Sequence, residues 1–401
     1  MSDTILRARA SGLLTASARS DVPPFMVMDV MAAAARIEAA GGHVIHMEVG
    51  QPAAGAPQTA IAAAQTALAQ GRIDYTAALG TPSLRARIAR HYRDVYGCPI
   101  DDERIVVTTG SSGAFILAFL AMFEPGDRVA VTVPGYPPYR HILKALGCEP
   151  VLIETHADTR HALTGEALLD AHRKTPLKGV LVASPANPTG TMMSKEALTG
   201  LMAAADGAGI RFISDEIYHG LDYAFPAVTA AALSDDALVI NSFSKYFCMT
   251  GWRVGWMVVP KPLVRSMERL QQNLSISVPT LSQIAAEAAF DGRDEMEAIK
   301  HGYQDNRRIL IEGLPQAGLS DFLPADGAFY LYADVSKFTS DSLEFAKQLL
   351  QQAHVAATPG VDFDPIHGRS YVRFSYAQSS ADMHEAVARI GRWLEEGGPR
   401  G

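Results

Sequence analysis

The chain is poor in cysteine. Its 401 residues include three, Cys98, Cys148 and Cys248. They are too scattered for a disulfide framework or a zinc cluster, so neither a disulfide scaffold nor a metal site is expected, and their small number suits a reducing compartment. Long apolar runs are missing as well. The longest candidate, residues 113–123, is about half of what a membrane helix needs. The opening Met1-Ser2-Asp3-Thr4-Ile5-Leu6-Arg7 lacks the apolar core of a secretory signal. Excess positive charge is absent too. The net charge of −8 argues against general attraction to nucleic acid or to anionic membranes. There are no low-complexity tracts and no short repeat. These absences lead to a cytoplasmic protein with neither nucleic-acid nor membrane partners. The 48% hydrophobic and 19% charged residues are ordinary for a globular chain with a large core.

From about residue 100, short apolar runs alternate with helical patterns. Strands are predicted over 105–109, 128–133, 151–154, 179–183, 211–214, 238–242 and 252–259. Helices are predicted over 111–123, 137–146, 166–173 and 195–208. This alternation predicts an α/β fold, a mostly parallel sheet flanked by helices. The C-terminal third changes character. A helical stretch runs from about 280 towards 314, broken near Asp291-Gly292, and further helices are predicted over 342–354 and 381–396, with strands over 328–332 and 371–375. With a helix over 26–40 and a strand over 44–47, these predict a smaller α+β domain. The expected division is a large domain over 51–295 and a small one from 1–50 and 296–401.

Ligands in open α/β sheets bind outside the carboxyl ends of the strands, and four expected strand ends carry suitable chemistry. Gly110-Ser111-Ser112-Gly113 fits either a serine helix cap or an anion site. Pro185-Ala186-Asn187-Pro188-Thr189-Gly190 is a turn signal, which leaves open why Asn187 projects from a strand end. Asp215-Glu216-Ile217-Tyr218 is costly after an apolar strand unless something pairs with the acids. Asp215 would suit a pyridinium nitrogen and Tyr218 a phenolic ring oxygen; a helix-start acid with a core tyrosine is the plainer alternative. Ser242-Phe243-Ser244-Lys245 places an amine at the mouth of the core, where desolvation lowers its pKa and frees a nucleophile for Schiff-base chemistry. Arg253 follows eight residues later. An isolated lysine of this kind is as easily an ordinary surface residue. Together, however, an anion site, an amide, an acid and a lysine on one sheet edge are the parts of a pyridoxal phosphate site.

With these motifs in order, the chain resembles the pyridoxal-phosphate-dependent aminotransferases of the aspartate aminotransferase type (fold type I, class I/II). The resemblance spans nearly the whole chain. It rests on Gly50-Gln51-Pro52, Tyr75 with Gly80-Thr81-Pro82, Gly110-Ser111-Ser112, Pro134-Gly135-Tyr136-Pro137, Asn187-Pro188-Thr189-Gly190, Asp215-Glu216-Ile217-Tyr218, Ser242-Phe243-Ser244-Lys245, Arg253-Val254-Gly255 and Arg373-Phe374-Ser375. It implies that Lys245 carries the cofactor as a Schiff base and moves the substrate proton. Asp215 would pair with the pyridine nitrogen, and Asn187 and Tyr218 with the ring oxygen. Ser111, Ser112, Ser242, Ser244 and Arg253 would hold the phosphate, Tyr136 would stack on the ring, and Tyr75 would reach the phosphate of a neighbouring subunit. Arg373 would grip the substrate α-carboxylate, with Asn187 and Gly50 beside it.

The resemblance further implies a homodimer with shared active sites and ping-pong transfer of an amino group between an amino acid and a 2-oxo acid. One departure matters. Dicarboxylate-selective members of one branch carry a second arginine near the position of Asn273, and 271–278 contains no basic residue. Aspartate specificity therefore does not carry over from that branch; Arg19, Phe25 or Arg36 could read the side chain instead. Three rivals share some of these features. A β-elimination C–S lyase would use the same framework. A Ser-x-x-Lys hydrolase would need supporting motifs that are absent. A cofactor-binding regulator would need room for an added DNA-binding domain.

Overall fold

A computed structural model describes residues 16–399. The predicted sheet is present. Strands β1 (Ile45–His46), β2 (Ile105–Thr108), β3 (Arg128–Val133), β4 (Glu149–Glu154), β5 (Gly179–Ala183), β6 (Arg211–Asp215), β7 (Leu238–Ser242) and β8 (Gly255–Val258) occur in that order. Seven of them form one sheet in the order β2-β8-β7-β6-β5-β3-β4. Only β8 runs against its neighbours, β2 and β7; the other pairs are parallel. The carboxyl ends of β2, β3, β5, β6 and β7 therefore share one edge. Helices cover both faces, so successive side chains enter different cores. In β7, Val239 joins a cluster with Leu84, Ile88 and Trp256, whereas Leu238 and Ile240 join one with Phe115 and Phe119.

The remaining strands are β9 (Tyr330–Asp334), β10 (Val355–Ala356), β11 (Thr358–Pro359) and β12 (Tyr371–Ser375). They form an antiparallel sheet, β11-β12-β9, and a parallel pair, β1-β10. A separate core unites Ile45 and Met47 with Phe345, Phe374 and Trp393. The N-terminal strand thus packs with the C-terminal third, joined to it by backbone pairing.

Two strand expectations require correction. Thr250–Trp252 is a 3-10 turn and Arg253 has φ 51°, so the extended run predicted over 252–259 begins only at Gly255. Ala328 has φ 58°, which delays β9 to Tyr330. Left-handed backbone cannot continue a strand. Three helices, Gln58–Ala69, Pro82–Tyr96 and Val264–Leu274, had no sequence counterpart. The first is half alanine, so its apolar periodicity is faint. No helix among the described residues is long and apolar enough to cross a membrane. The stretch Met1–Arg7 lies outside the described residues.

Candidate active site

The shared strand edge opens into a cavity of about 230 Å³. It is lined by Lys245, Asp215, Tyr218, Asn187, Tyr136, Ser111, Ser112, Ser244, Arg253, Arg373 and Gly50. Lys245 follows β7, and its Nζ donates to the Gly50 carbonyl at 2.5 Å. Desolvation, with Arg373 and Arg253 nearby, pulls the amine down to about 8. A useful fraction is therefore neutral and nucleophilic near physiological pH.

Asp215 ends β6 in a turn rather than a helix and is almost fully buried. Burial pushes its carboxyl up to about 6. Its Oδ1 accepts from the Ile217 amide at 3.1 Å and its Oδ2 from the Tyr139 hydroxyl. Tyr139 is a site residue that the motifs did not reveal. It lies three residues beyond Tyr136 on the helix Pro137–Ala145, and that i, i+3 spacing to the expected ring-stacking residue was the available signal. A buried carboxylate with ordered donors on both oxygens, and no cation bonded to it, suits a cationic ring nitrogen.

Opposite the lysine, Arg373 projects from β12 and is 2% exposed. Its Nη1 donates to Asn187 Oδ1 at 2.9 Å, and its Nη2 to the Glu48 carbonyl and to Thr358 Oγ1. Its Nε has no hydrogen-bond partner although buried. The guanidinium is flanked by the Tyr330 and Phe363 rings, 4.4 and 4.6 Å to their centroids. A buried cation with an unused donor and no carboxylate partner is a site for an anionic ligand group.

The third corner is an anion cradle. The helix Gly110–Met122 starts after Thr109, which makes no side-chain cap, so Ser111 and Ser112 occupy its first turn rather than its cap. Gly110 has φ +66°, and a Cβ there would stand 2.4 Å from Arg253 Nη2. The glycine thus lets the arginine lie over the helix N-terminus, where free amides and the helix dipole favour an anion. Ser244 faces the same space. Ser242, expected beside it, does not line the cavity. Its hydroxyl lies behind the wall, donating to Ser244 Oγ at 2.9 Å and accepting from the Ser244 amide at 3.1 Å, so it orients Ser244 instead of facing a ligand. Amine, acid and anion cradle together fit pyridoxal phosphate.

Other expected residues divide. Phe25 lines the cavity and meets Tyr136 edge-on at 5.9 Å between centroids. Arg19 and Arg36 do not line it, and Asn273 is exposed on the helix Val264–Leu274. Tyr75 is 80% exposed and does not line this cavity.

Comparison with known proteins is consistent along the chain. Residues 42–390 match the family model described as aminotransferase class I and II. The sequence is 49% identical over 380 residues to a valine–pyruvate aminotransferase of Mycobacterium tuberculosis, covering 94% of this chain and 97% of the relative. Among solved structures, an aminotransferase from M. tuberculosis superposes with a TM-score of 0.93 at 48% identity, over 95% of this chain and 99% of that one. The aspartate aminotransferase of Thermus thermophilus, solved with maleate, gives 0.89 at 31% identity, over 94% and 99%.

Proposed function

Because the chain belongs to the class I and II aminotransferases, we propose that it takes the amino group of an aliphatic amino acid, and that the cavity residues divide the work as follows. The activity itself, transfer between an amino acid and a 2-oxo acid with pyridoxal phosphate, is that of the family. The cofactor, when bound, supplies the electron sink for the carbanion at the substrate Cα. Lys245 would hold it covalently until the substrate amine displaces the lysine, and the freed Nζ would then take up and return the Cα proton. Asp215 faces the ring nitrogen, kept ionised there by the cationic partner and by the Tyr139 and Ile217 donors. Tyr218 and Asn187 would bond the ring oxygen, and Tyr136 would pack on the ring. Ser111, Ser112, Ser244 and Arg253 bind the phosphate, with Ser242 supporting Ser244. Arg373 receives the α-carboxylate, aided by Asn187 and the Gly50 backbone.

The donor class rests on one observation. Phe25, Val27, Met28 and Met31 form an apolar wall of the cavity, and the cationic side chains that line it are Lys245, Arg253 and Arg373, each already in use. Among the described residues the cavity thus offers a distal carboxylate no free cation, whereas burial of aliphatic carbons there gains about 0.8 kcal/mol per methylene. The similarity to a valine–pyruvate enzyme agrees.

The exposure of Tyr75, which does not line its own cavity, supports a homodimer in which it completes the partner's phosphate site. We also read 51–295 and 1–50 with 296–401 as two domains, a division supported by the packing of Ile45 and Met47 with Phe345, Phe374 and Trp393. Three unpaired thiols, Cys98, Cys148 and Cys248, suit the cytoplasm. The test is a half-reaction panel. Cofactor-loaded protein is mixed with single amino acids, and the change in its visible absorption is timed before 2-oxo acids are added to reverse it. Valine or leucine should react at least about tenfold faster than aspartate; a preference for aspartate would refute the donor class. Lys245→Ala should lose turnover by at least about 10³-fold, and sustained turnover in that variant would refute the lysine assignment.

A further inference from the structure

Tyr330 stands where three parts of the site meet, although no motif singled it out. It opens β9 and is 1% exposed. Its hydroxyl lies 2.8 Å from that of Tyr218. Its ring carries the Arg373 guanidinium at 4.4 Å. The Gly50 backbone, which accepts from Lys245, passes so close that a Cβ at position 50 would stand 1.9 Å from the Tyr330 hydroxyl.

We propose that Tyr330 is a positioning residue for transamination, donating its phenolic proton to Tyr218 so that the Tyr218 proton remains directed at the cofactor ring oxygen. This rests on the reading of Tyr218 given above. Only one proton can lie between two phenol oxygens. Among the described residues neither hydroxyl has another hydrogen-bond partner, so the direction of this one bond decides whether Tyr218 has a proton to offer. The cation over the Tyr330 ring favours loss of its proton over that of Tyr218, and the more acidic phenol is the better donor. Burial raises both phenols, keeping both protonated at neutral pH. The order is therefore Tyr330 to Tyr218 to cofactor. Gly50 leaves room for it, since any side chain there would displace the Tyr330 hydroxyl.

The readout is the pH midpoint of the visible absorption band of the lysine-bound cofactor, measured on the holoenzyme without substrate. A donor to the ring oxygen favours its ionised form, so losing the donor raises the midpoint. Tyr218→Phe should raise it most. Tyr330→Phe, which keeps the ring under Arg373, should raise it by about 0.5–1 pH unit. It should also lower kcat by about five- to tenfold with less than about a twofold change in donor KM. In the Tyr218→Phe background, adding Tyr330→Phe should have no further effect. A full additional shift there would mean a merely structural role and overturn the proposal.

If Tyr218→Phe moves the midpoint and Tyr330→Phe does not, this inference alone fails. If Tyr218→Phe leaves it in place, the Tyr218 reading fails and carries this one with it. Should Tyr330→Phe not fold, 3-fluorotyrosine at position 330 keeps shape and hydroxyl while strengthening donation. It should lower the midpoint, and an unchanged or raised value overturns the proposal.

Discussion

Asp215 and Lys245 are each held away from their ordinary ionisation by burial, in the direction that disfavours charge. For Asp215 this has a measurable consequence before any substrate is present. Its carboxyl titrates at about 6 in the fold against 3.8 for the free group. A raised folded pKa contributes stability that is fully present below about pH 4 and is lost as pH rises through about 6. Asp215→Asn has nothing to ionise. The cofactor-free variant should therefore melt higher than the cofactor-free parent at pH 8, by roughly 2–4 °C, with the gain vanishing near pH 4. Calorimetry across that range checks it. Loaded with cofactor, the same variant should turn over at least about 100-fold more slowly, as the ring nitrogen loses its counter-ion. Asp215, Lys245 and Asn187 were legible as cavity residues because each is a polar residue at or just beyond the end of an apolar strand, where burial must be explained; Arg373, in the middle of β12, came only from the family resemblance. Tyr139 and Tyr330 were not, because a tyrosine outside any motif reads as core until its hydroxyl is seen to have a partner in space.

Among the elements, the helix Gly110–Met122 and the turn carrying Arg253 make the anion cradle jointly. Each depends on left-handed backbone, at Gly110 with φ 66° and at Arg253 with φ 51°. Gly110→Ala adds a methyl group 2.4 Å from Arg253 Nη2 and strains the backbone by about 1 kcal/mol. The arginine must move off the helix terminus. Affinity for pyridoxal phosphate, measured by equilibrium dialysis of cofactor-free protein, should fall at least about tenfold. Affinity within twofold of the parent would show that Arg253 does not hold the phosphate. The left-handed Arg253 also accounts for the failed strand expectation over 252–259, as Ala328 does for that over 328–332, since periodicity reports which residues are apolar and is blind to a single reversed φ. Gln58–Ala69 was unread for a related reason: an alanine-rich helix has good propensity but little contrast between its faces.

For the whole molecule, Tyr75 makes the assembly testable. Sedimentation equilibrium should give twice the 43.0 kDa of one chain. Tyr75→Phe should weaken cofactor retention by about tenfold while leaving that mass unchanged. A monomer that retains full activity would remove the shared-site reading. The alternation of strand and helix and the ordered motifs were enough to identify the α/β class and the cofactor and to single out Lys245 as a cavity residue, because those depend on local periodicity and on residue types that are expensive to bury without purpose. The pairing of β1 with β10, the Arg373–Asn187 bond and the Tyr330–Tyr218 contact join positions 310, 186 and 112 residues apart. No local pattern encodes such distances. They arise only when the chain folds back on itself, and the same packing sets Phe25, Val27, Met28 and Met31 in one cavity with Arg373. Residue types at strand ends were legible in the chain, whereas the apolar wall and the Tyr330–Tyr218 contact depend on which remote side chains packing brings together.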